Sequence, residues 1–117
     1  MQSMVEAQHD TRIAQLRRGV LEFCVMALLE HEERYGFDLV RELATWEWMK
    51  TGEGTLYPLL ARLRRDGLLE SRWHESPSGP PRRYYHLSVE GRAALARFRI
   101  DWAEFAGAVG DMLGGKS

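Results

Sequence analysis

Apolar residues recur along the chain with two periods, which predict four helices and two strands. Alternation over residues 68–74 and 82–87, with Tyr84 and Tyr85 in the second run, is typical of strands. Spacings of three and four residues are typical of helices that bury one face, and they cover residues 11–30, 35–45, 52–66 and 89–113. The predicted order is therefore three helices, two strands and one long helix.

Residues with strong local preferences mark the ends of these elements. Asp10 or Thr11 is suited to cap the first helix, and Ser88 is suited to cap the last. Gly67 follows the third helix and is expected to end it. Residues 75–81 join the two strands and are rich in proline, so we expect a flexible tip rather than a two-residue turn.

Pro58 lies within the third predicted helix, where a proline is normally unfavourable. If Thr55 is the N-cap residue, Pro58 lies in the first turn, where its missing N–H has no helical partner. If Thr51 is the N-cap residue, Pro58 removes a hydrogen bond to Gly54, and that glycine leaves room for the proline ring. Both placements keep the helix.

The composition is that of one small globular domain. The chain has 117 residues, of which 44% are apolar and 28% are charged, and this allows one modest core. The one cysteine, Cys24, cannot form an internal disulfide, so we expect a cytoplasmic protein. Residues 1–10 are predicted to be a flexible tail without an apolar signal core, and the longest apolar run, residues 23–29, is too short to span a bilayer. We expect no membrane partner.

Charge alone leaves the partner open. The net charge of −1 is unusual for a protein that coats nucleic acid, yet arginines are concentrated in one stretch. Such a cluster is either a phosphate-binding surface or an ordinary solvated one. The stretch contains Arg62, Arg64, Arg65, Arg72, Arg82 and Arg83. The four histidines have no metal-ligand spacing, and no pattern joins two catalytic side chains, so we expect no metal, no cofactor and no enzyme activity.

The last helix carries an apolar pattern that a single small domain does not explain. Its apolar residues are spaced three, four, three, four and three positions apart, which is a heptad seam. A second helix is needed to cover such a seam, so we expect a homodimer. The seam consists of Leu95, Phe98, Trp102, Phe105, Val109 and Met112.

This order of elements predicts a fold that is mainly α with a small β-hairpin, namely a winged helix-turn-helix plus a long C-terminal dimerisation helix. Residues 11–88 would form the winged helix-turn-helix domain and residues 89–117 the dimerisation helix. The third helix, over about residues 55–65, fits the major groove of double-stranded DNA. The hairpin arginines are suited to phosphates or to a narrow minor groove.

Several short strings in these elements stand together at a specific separation. They are Tyr35-Gly36, residues 53–60 (Glu-Gly-Thr-Leu-Tyr-Pro-Leu-Leu), Leu63, residues 66–68 (Asp-Gly-Leu) and residues 81–85 (Pro-Arg-Arg-Tyr-Tyr). In these strings the chain resembles the PadR family of bacterial transcriptional regulators, in its short form with a single C-terminal helix. The resemblance covers about residues 16–113.

The resemblance implies a homodimer that represses transcription from an inverted-repeat operator and dimerises through the C-terminal helix, helped by the first helix. It also implies release from DNA by an aromatic or drug-like small molecule. The implied ligand contacts are Leu16, Phe98 and Trp102. The implied DNA contacts are Tyr35, Gly36, Thr51, Thr55, Tyr57, Pro58, Arg62, Arg65, Arg82, Arg83 and Tyr84.

Several alternatives stay open at this stage. Tyr57, at the edge of an apolar stripe, is either a core residue or a DNA contact. Trp102 is either dimer packing or a platform for a planar ligand. Trp46 and Trp48 depart from the family pattern and either pack or border a pocket. The low net charge keeps a second class of function, a winged-helix module that binds a protein partner and no specific DNA.

Overall fold

The computed structural model describes residues 3–114. Parts of the predicted tail and of the predicted C-terminal segment, on residues 1–2 and 115–117, lie outside these described residues. The elements are α1 (Met4–Arg18), α2 (Leu21–Leu28), β1 (Arg34–Tyr35), α3 (Gly36–Ala44), a short 3-10 helix η1 (Glu47–Met49), α4 (Glu53–Arg65), β2 (Leu69–Ser76), β3 (Gly79–Leu87) and α5 (Val89–Met112). The strands form an antiparallel sheet in the order β1-β3-β2, so the predicted mainly helical fold with a hairpin wing is confirmed.

Helix α1 starts inside the segment that the sequence predicted as a tail. The Ser3 hydroxyl accepts a hydrogen bond from the Glu6 N–H, and the Glu6 carboxylate accepts one from the Ser3 N–H, which is a complete capping box. The predicted tail is therefore wrong for residues 4–10, and Asp10 and Thr11 lie within the helix instead of capping it. The part of the helix before residue 11 escaped prediction because it has no buried face and no apolar periodicity.

The predicted continuous helix over residues 11–30 is interrupted at Gly19 and Val20. Gly19 ends α1, and Val20 has φ −121° and ψ −12°, well away from helical values. The interruption separates two different environments, since α1 buries no residue whereas α2 buries Leu21, Val25 and Met26. The chain turns at this point so that α2 enters the core and α1 stays at its surface.

The core is formed largely by leucines from the helices on one side of the sheet. Helix α4 contributes Leu56, Leu60 and Leu63, and α3 contributes Leu39 and Leu43, all at most 2% exposed. These residues recur at spacings of three and four, so burial fixes which face each helix turns inward. The opposite faces are left for solvent or a partner.

The start of α4 differs from both predicted placements. Gly52 is the N-cap residue, so neither Thr51 nor Thr55 caps the helix. Pro58 consequently lies in the helix interior, where it removes a hydrogen bond to the Gly54 carbonyl. The structure is therefore closer to the placement with Thr51 as the N-cap residue than to the placement with Thr55, because Pro58 lies beyond the first turn.

The end of α4 is as predicted. Gly67 has φ +82°, a left-handed conformation that favours glycine. Its N–H donates to the Arg64 carbonyl, and the Leu68 N–H donates to the Leu63 carbonyl. These two bonds form a Schellman motif, which stops the helix and directs the chain into β2.

The hairpin is tighter than predicted. Ser76 pairs with Gly79 across a two-residue turn, so the predicted flexible tip over residues 75–81 is wrong. An irregularity in register between His74 and Ser76 absorbs an extra residue. The prolines at the start of β3 fit because β1 pairs only with the far end of that strand, which leaves one side open here.

Strand β1 was not predicted. It places Arg34 opposite Tyr85 and Tyr35 opposite Tyr84, at the far edge of the hairpin. Two residues are too few to show an alternating pattern, so the sequence alone does not predict this strand. It is defined by its pairing with β3. It joins the chain before α3 to the base of the wing.

Helix α5 is attached to the winged domain at its start. The Ser88 hydroxyl donates to the Gly67 carbonyl at 2.6 Å and accepts from the Gly91 N–H at 2.9 Å, so Ser88 is the cap that was predicted. Farther along, Phe98 stacks on Phe23 of α2 with ring centroids 4.0 Å apart. Beyond these contacts most side chains of α5 are exposed.

Candidate nucleic-acid interface and aromatic groove

The contact between α3 and α4 is organised around Gly36. A Cβ atom on this residue would lie 2.5 Å from Cε1 of Tyr57, so only glycine leaves space for the ring. Gly36 is buried under that ring, and the prediction that it contacts DNA is therefore wrong. Its role is to let Tyr57 lie against the start of α3.

Tyr57 lies at the border between core and solvent. Its side chain is 38% exposed, and its hydroxyl donates to Oε1 of Glu53 at 3.2 Å. Burial, followed by the hydrogen bond to Glu53, raises the pKa of the Tyr57 hydroxyl. The phenol therefore stays protonated at neutral pH, and its single O–H would have to leave Glu53 in order to donate to a phosphate.

The outer face of α4 is formed by small side chains. Thr55 and Pro58, both predicted DNA contacts, are exposed there together with Gly54 and Ala61, and the predicted contact Arg65 is exposed at the C-terminal end. A helix without bulky side chains on its outer face can approach the floor of the major groove closely. This face is the part of the motif best suited to bases.

Two other arginines of α4 have different surroundings. Arg62, a predicted DNA contact, has its guanidinium nitrogens 3.6 Å from carboxylate oxygens of Glu22 and of Asp66. These carboxylates offset its charge and weigh against a phosphate contact. Arg64 was not among the predicted contacts, yet it is exposed and has no ion pair within residues 3–114.

Thr51 does not belong to the DNA-facing surface. It is 6% exposed, and its hydroxyl donates to the Met49 carbonyl at 2.8 Å. The prediction that Thr51 contacts DNA is therefore wrong, because the side chain has no free surface and no free donor. It holds the segment between η1 and α4 in place.

The wing carries two arginines that stack on aromatic rings. The Arg82 guanidinium lies 4.7 Å from the Tyr35 ring centre, and the Arg83 guanidinium lies 4.7 Å from the Trp73 ring centre. Neighbouring residues of a strand point to opposite faces, so one arginine lies on each side of the ribbon. Neither has a carboxylate partner in the described part of the chain, which leaves both available for phosphates.

Tyr35 and Tyr84, also predicted DNA contacts, are half-buried and support the wing. Their ring centroids are 5.8 Å apart, and the His74 ring meets Tyr84 edge-on at 4.5 Å. Tyr35 thus supports Arg82 directly, and Tyr84 and His74 extend the row of aromatic contacts.

A carboxylate that the sequence did not single out, Glu33, binds the wing to the chain before β1. It accepts two hydrogen bonds from Arg72, at 2.9 and 3.1 Å, and lies 2.7 Å from Nε2 of His74. The hydrogen bonds from Arg72 are the main cause that lowers the pKa of Glu33. Arg72 is therefore neutralised, and residues 39 and 41 positions apart in sequence are joined. Sequence spacing carried no signal for this contact.

An open apolar groove of about 970 Å³ lies between α1, η1 and α5. All three predicted ligand contacts, Leu16, Phe98 and Trp102, line it. Trp48 lines it as well, whereas Trp46 does not. The two tryptophans therefore differ, since one borders the groove and the other, 59% exposed, lies on the surface.

The heptad seam of α5 divides into two parts. Leu95 is 2% exposed and belongs to the core of its own domain, so it has no surface left for a partner, and its assignment to a dimer interface is wrong. Trp102, Phe105, Val109 and Met112 are 45%, 64%, 39% and 87% exposed. An apolar stripe therefore continues from the groove to the end of α5.

Within residues 3–114 no cluster of three or more His, Cys, Asp and Glu residues is arranged to hold a metal ion. His74 and His86 pair with Arg82 and Glu70 in the strand register and do not face each other. Among the described helices, none combines the length and apolar character needed to cross a membrane.

The helix-turn-helix, its wing and the outer face of α4 define a DNA-binding protein of the winged-helix class. Residues 25–97 match the model of the "Transcriptional regulator PadR-like family", which is more than half of the chain. The chain belongs to the PadR-like family of transcriptional regulators, which are DNA-binding proteins and not enzymes. The resemblance seen in the sequence is confirmed.

Individual relatives agree with this assignment. The chain is 35% identical over 103 residues to Transcriptional regulator Rv3488 of Mycobacterium tuberculosis, spanning 88% of this chain and 92% of that protein. It is 34% identical to a PadR family transcriptional regulator from Eggerthella lenta, whose crystal structure has a TM-score of 0.84 and covers 93% of this chain and 95% of that one. The crystal structure of Bacillus subtilis PadR in complex with operator DNA, 22% identical, shares the fold with a TM-score of 0.65 over 69% of this chain and 47% of that one.

Proposed function

We propose that this protein is a homodimeric repressor that binds an inverted-repeat operator and leaves it when a planar aromatic molecule occupies the groove. The observation that carries the DNA-binding part is the pair of wing arginines, Arg82 and Arg83, which aromatic rings hold in place and no described carboxylate neutralises. Arginines prepared in this way are suited to phosphates on either side of a groove.

The reading of bases is proposed for the outer face of α4. Thr55 and Pro58 lie on this face, with Tyr57 at its edge and Arg65 at its C-terminal end. Phosphate contacts from the wing would fix the register, and the helix would then meet base edges in the major groove. Bacillus subtilis PadR, which shares this fold, was crystallised with operator DNA, and this supports the same use of the fold here.

The homodimer is proposed from the exposed stripe on α5. Trp102, Phe105 and Met112 are large apolar side chains that a single chain leaves 45%, 64% and 87% exposed. A second copy would cover them helix against helix. A twofold axis between the copies would present two α4 helices to DNA, which matches an inverted repeat.

The effector is proposed from the groove that overlaps this stripe, since Trp102, Phe105 and Val109 line the groove as well. Phe98 and Trp102 are stacked within it at a centroid distance of 6.1 Å, and Leu16 closes it from α1. Aromatic side chains with few polar neighbours favour a flat apolar molecule. Because the groove lies between α1 and α5, a molecule bound there would touch the elements that set the spacing of the dimer.

The DNA-binding proposal is tested with Arg82→Ala and Arg83→Ala. A labelled duplex from upstream of the protein's own gene is titrated by fluorescence anisotropy over a range of salt concentrations. Each substitution should weaken binding and make the salt dependence shallower by about one counterion per subunit, which is about two for the dimer. Arg97→Ala is the matched control, since it removes the same charge from α5, where Arg97 pairs with Asp101.

An unchanged salt slope in both wing variants would exclude a phosphate role for these arginines. Absence of any specific duplex complex at moderate salt would favour the protein-binding module instead. Repression is measured separately, with a reporter under the same upstream region. Reporter expression should rise when the protein is removed, and a fall would identify an activator.

A further inference from the structure

We propose that Trp48 is the residue through which a planar aromatic ligand in the groove acts on the recognition helix α4, an inference that rests on the proposed function. Trp48 lines the same groove as Trp102, although the two indoles come from different parts of the chain. Trp102 belongs to α5, whereas Trp48 belongs to η1, which lies immediately before α4. A ligand that touches both indoles is therefore in contact with the segment that leads into the reading helix.

Two contacts with α1 hold Trp48 in position. The Arg17 guanidinium donates to the Trp48 carbonyl at 3.1 Å, and the His9 ring meets the indole edge-on at a centroid distance of 5.7 Å. The indole itself is 52% exposed. It is thus held in a defined place while a large part of its surface remains open to a ligand.

A short and well-packed path leads from Trp48 to α4. The next residue, Met49, also lines the groove, and its carbonyl accepts the hydrogen bond from the buried Thr51 hydroxyl at 2.8 Å. Gly52 follows as the N-cap residue of α4 and provides no side-chain cap. With no side-chain cap, the start of α4 is positioned by the segment that Thr51 holds, together with Leu56 in the core and the Tyr57 ring over Gly36.

These contacts couple the groove to the start of α4 through Trp48 and η1. A ligand that stacks on Trp48 moves η1, and η1 moves the first turn of α4, where Thr55, Tyr57 and Pro58 lie. The ligand then favours a state in which that turn is displaced or loosened, and DNA favours the state in which it is in place. Two ligands that prefer different states of one element weaken each other's binding reciprocally.

The test is amide hydrogen exchange of the full chain with and without saturating 1-anilinonaphthalene-8-sulfonate, an aromatic dye that fluoresces when bound to apolar sites. In the wild type, the dye should slow exchange in α5 around residues 98–106 and speed exchange at the hydrogen-bonded amides of residues 55–57 by about threefold or more. Trp48→Ala should keep the effect in α5 and lose the effect in α4. Trp46→Ala is the matched control and should behave as the wild type, because Trp46 lies outside the groove.

Each of the other outcomes contradicts either this inference or the proposed ligand site. A wild type with the α5 effect but no α4 effect overturns this inference and leaves the groove as a ligand site. A persistent α4 effect in Trp48→Ala also overturns it, as does an equal loss in Trp46→Ala. No dye effect on α5 in the wild type contradicts the ligand site of the proposed function itself. Trp48→Leu, which keeps apolar bulk without a ring, should match Trp48→Ala and shows that any loss does not come from a collapsed groove.

Discussion

The ring of Tyr57 lies over the backbone of Gly36 so closely that a Cβ atom there would be 2.5 Å from Cε1 of the ring. Gly36→Ala should therefore push the ring outward. Because Tyr57 is already 38% exposed, the ring can move, and the free energy of unfolding should fall by only about 1–2 kcal/mol. DNA affinity should fall more strongly, since the displaced ring leaves its place at the edge of the α4 face that is proposed to meet DNA.

A double-mutant cycle with Tyr57→Ala checks this explanation. If Gly36 acts only through the ring, the losses in DNA affinity from the two substitutions should not add. Fully additive losses would mean that Gly36 contributes to the interface in some other way. Urea unfolding of all variants separates stability from binding.

Two glycines of α5 should respond in opposite ways to the same substitution. At Gly91 a Cβ atom would lie 2.1 Å from the Leu68 carbonyl oxygen, and this backbone atom cannot move aside easily. Gly91→Ala should lower the free energy of unfolding by about 3 kcal/mol or more. At Gly107 nothing lies within 4 Å, so Gly107→Ala should raise it by up to about 1 kcal/mol through helix propensity. Thermal and urea unfolding measure both, and equal effects would contradict the packing at Gly91.

The contact of Glu33 with Arg72 and His74 should make stability depend on pH. Hydrogen bonds from Arg72 lower the pKa of Glu33, so the ionised form is favoured in the folded state. Such a group stabilises the fold above its unfolded pKa, and this contribution is lost as pH falls through the folded value. Glu33→Gln should therefore lower the melting temperature at neutral pH, and the difference from wild type should vanish in acid.

The matched control for that experiment is Glu104→Gln. Glu104 is exposed on α5 and has no ion pair among the described residues, so its substitution removes the same charge without a contact. A pH-independent difference for Glu33→Gln would show that packing, and not the carboxylate charge, is responsible. Melting is followed by circular dichroism between about pH 3 and about pH 7.

The dimer is best tested with Phe105→Glu. Phe105 is 64% exposed on the apolar stripe, whereas Phe98 also stacks on Phe23 and its loss would disturb the domain itself. A charge at position 105 should produce monomers, because an unpaired carboxylate in an apolar interface is strongly unfavourable. Ile100→Glu is the control, since Ile100 is 57% exposed on α5 outside the stripe and does not line the groove. Sedimentation shows the outcome, and a dimeric Phe105→Glu would refute the interface.

The sequence predicted the helix ends that depend on residues close to one another in the chain. Ser88 caps α5 and Gly67 ends α4 because each acts within a few residues of its own position. Long-range contacts could not be predicted in this way. Glu33 meets Arg72 only after the sheet has formed, and β1 has too few residues to show a period.

The predicted DNA contacts also differ in outcome. The resemblance implied that Thr55 and Pro58 contact DNA, and both are exposed on the outer face of α4. The resemblance implied that Thr51 also contacts DNA, but its hydroxyl donates to the Met49 carbonyl instead. A polar residue near a motif can serve the motif's own backbone, and only tertiary structure distinguishes this from a contact with a partner.

The bonds of Ser88 have a mechanical consequence for the proposed dimer. Its hydroxyl joins the end of α4 to the first turn of α5, and its N–H donates to the Leu68 carbonyl at 3.1 Å, so the two helices have little freedom to move separately. The angle at which two α5 helices cross would then fix the distance between two α4 helices. Operators with half-sites about 34–36 Å apart would fit only one crossing angle. The crossing of the two α5 helices, which do not touch the bases, would thus determine the distance between the half-sites of the operator.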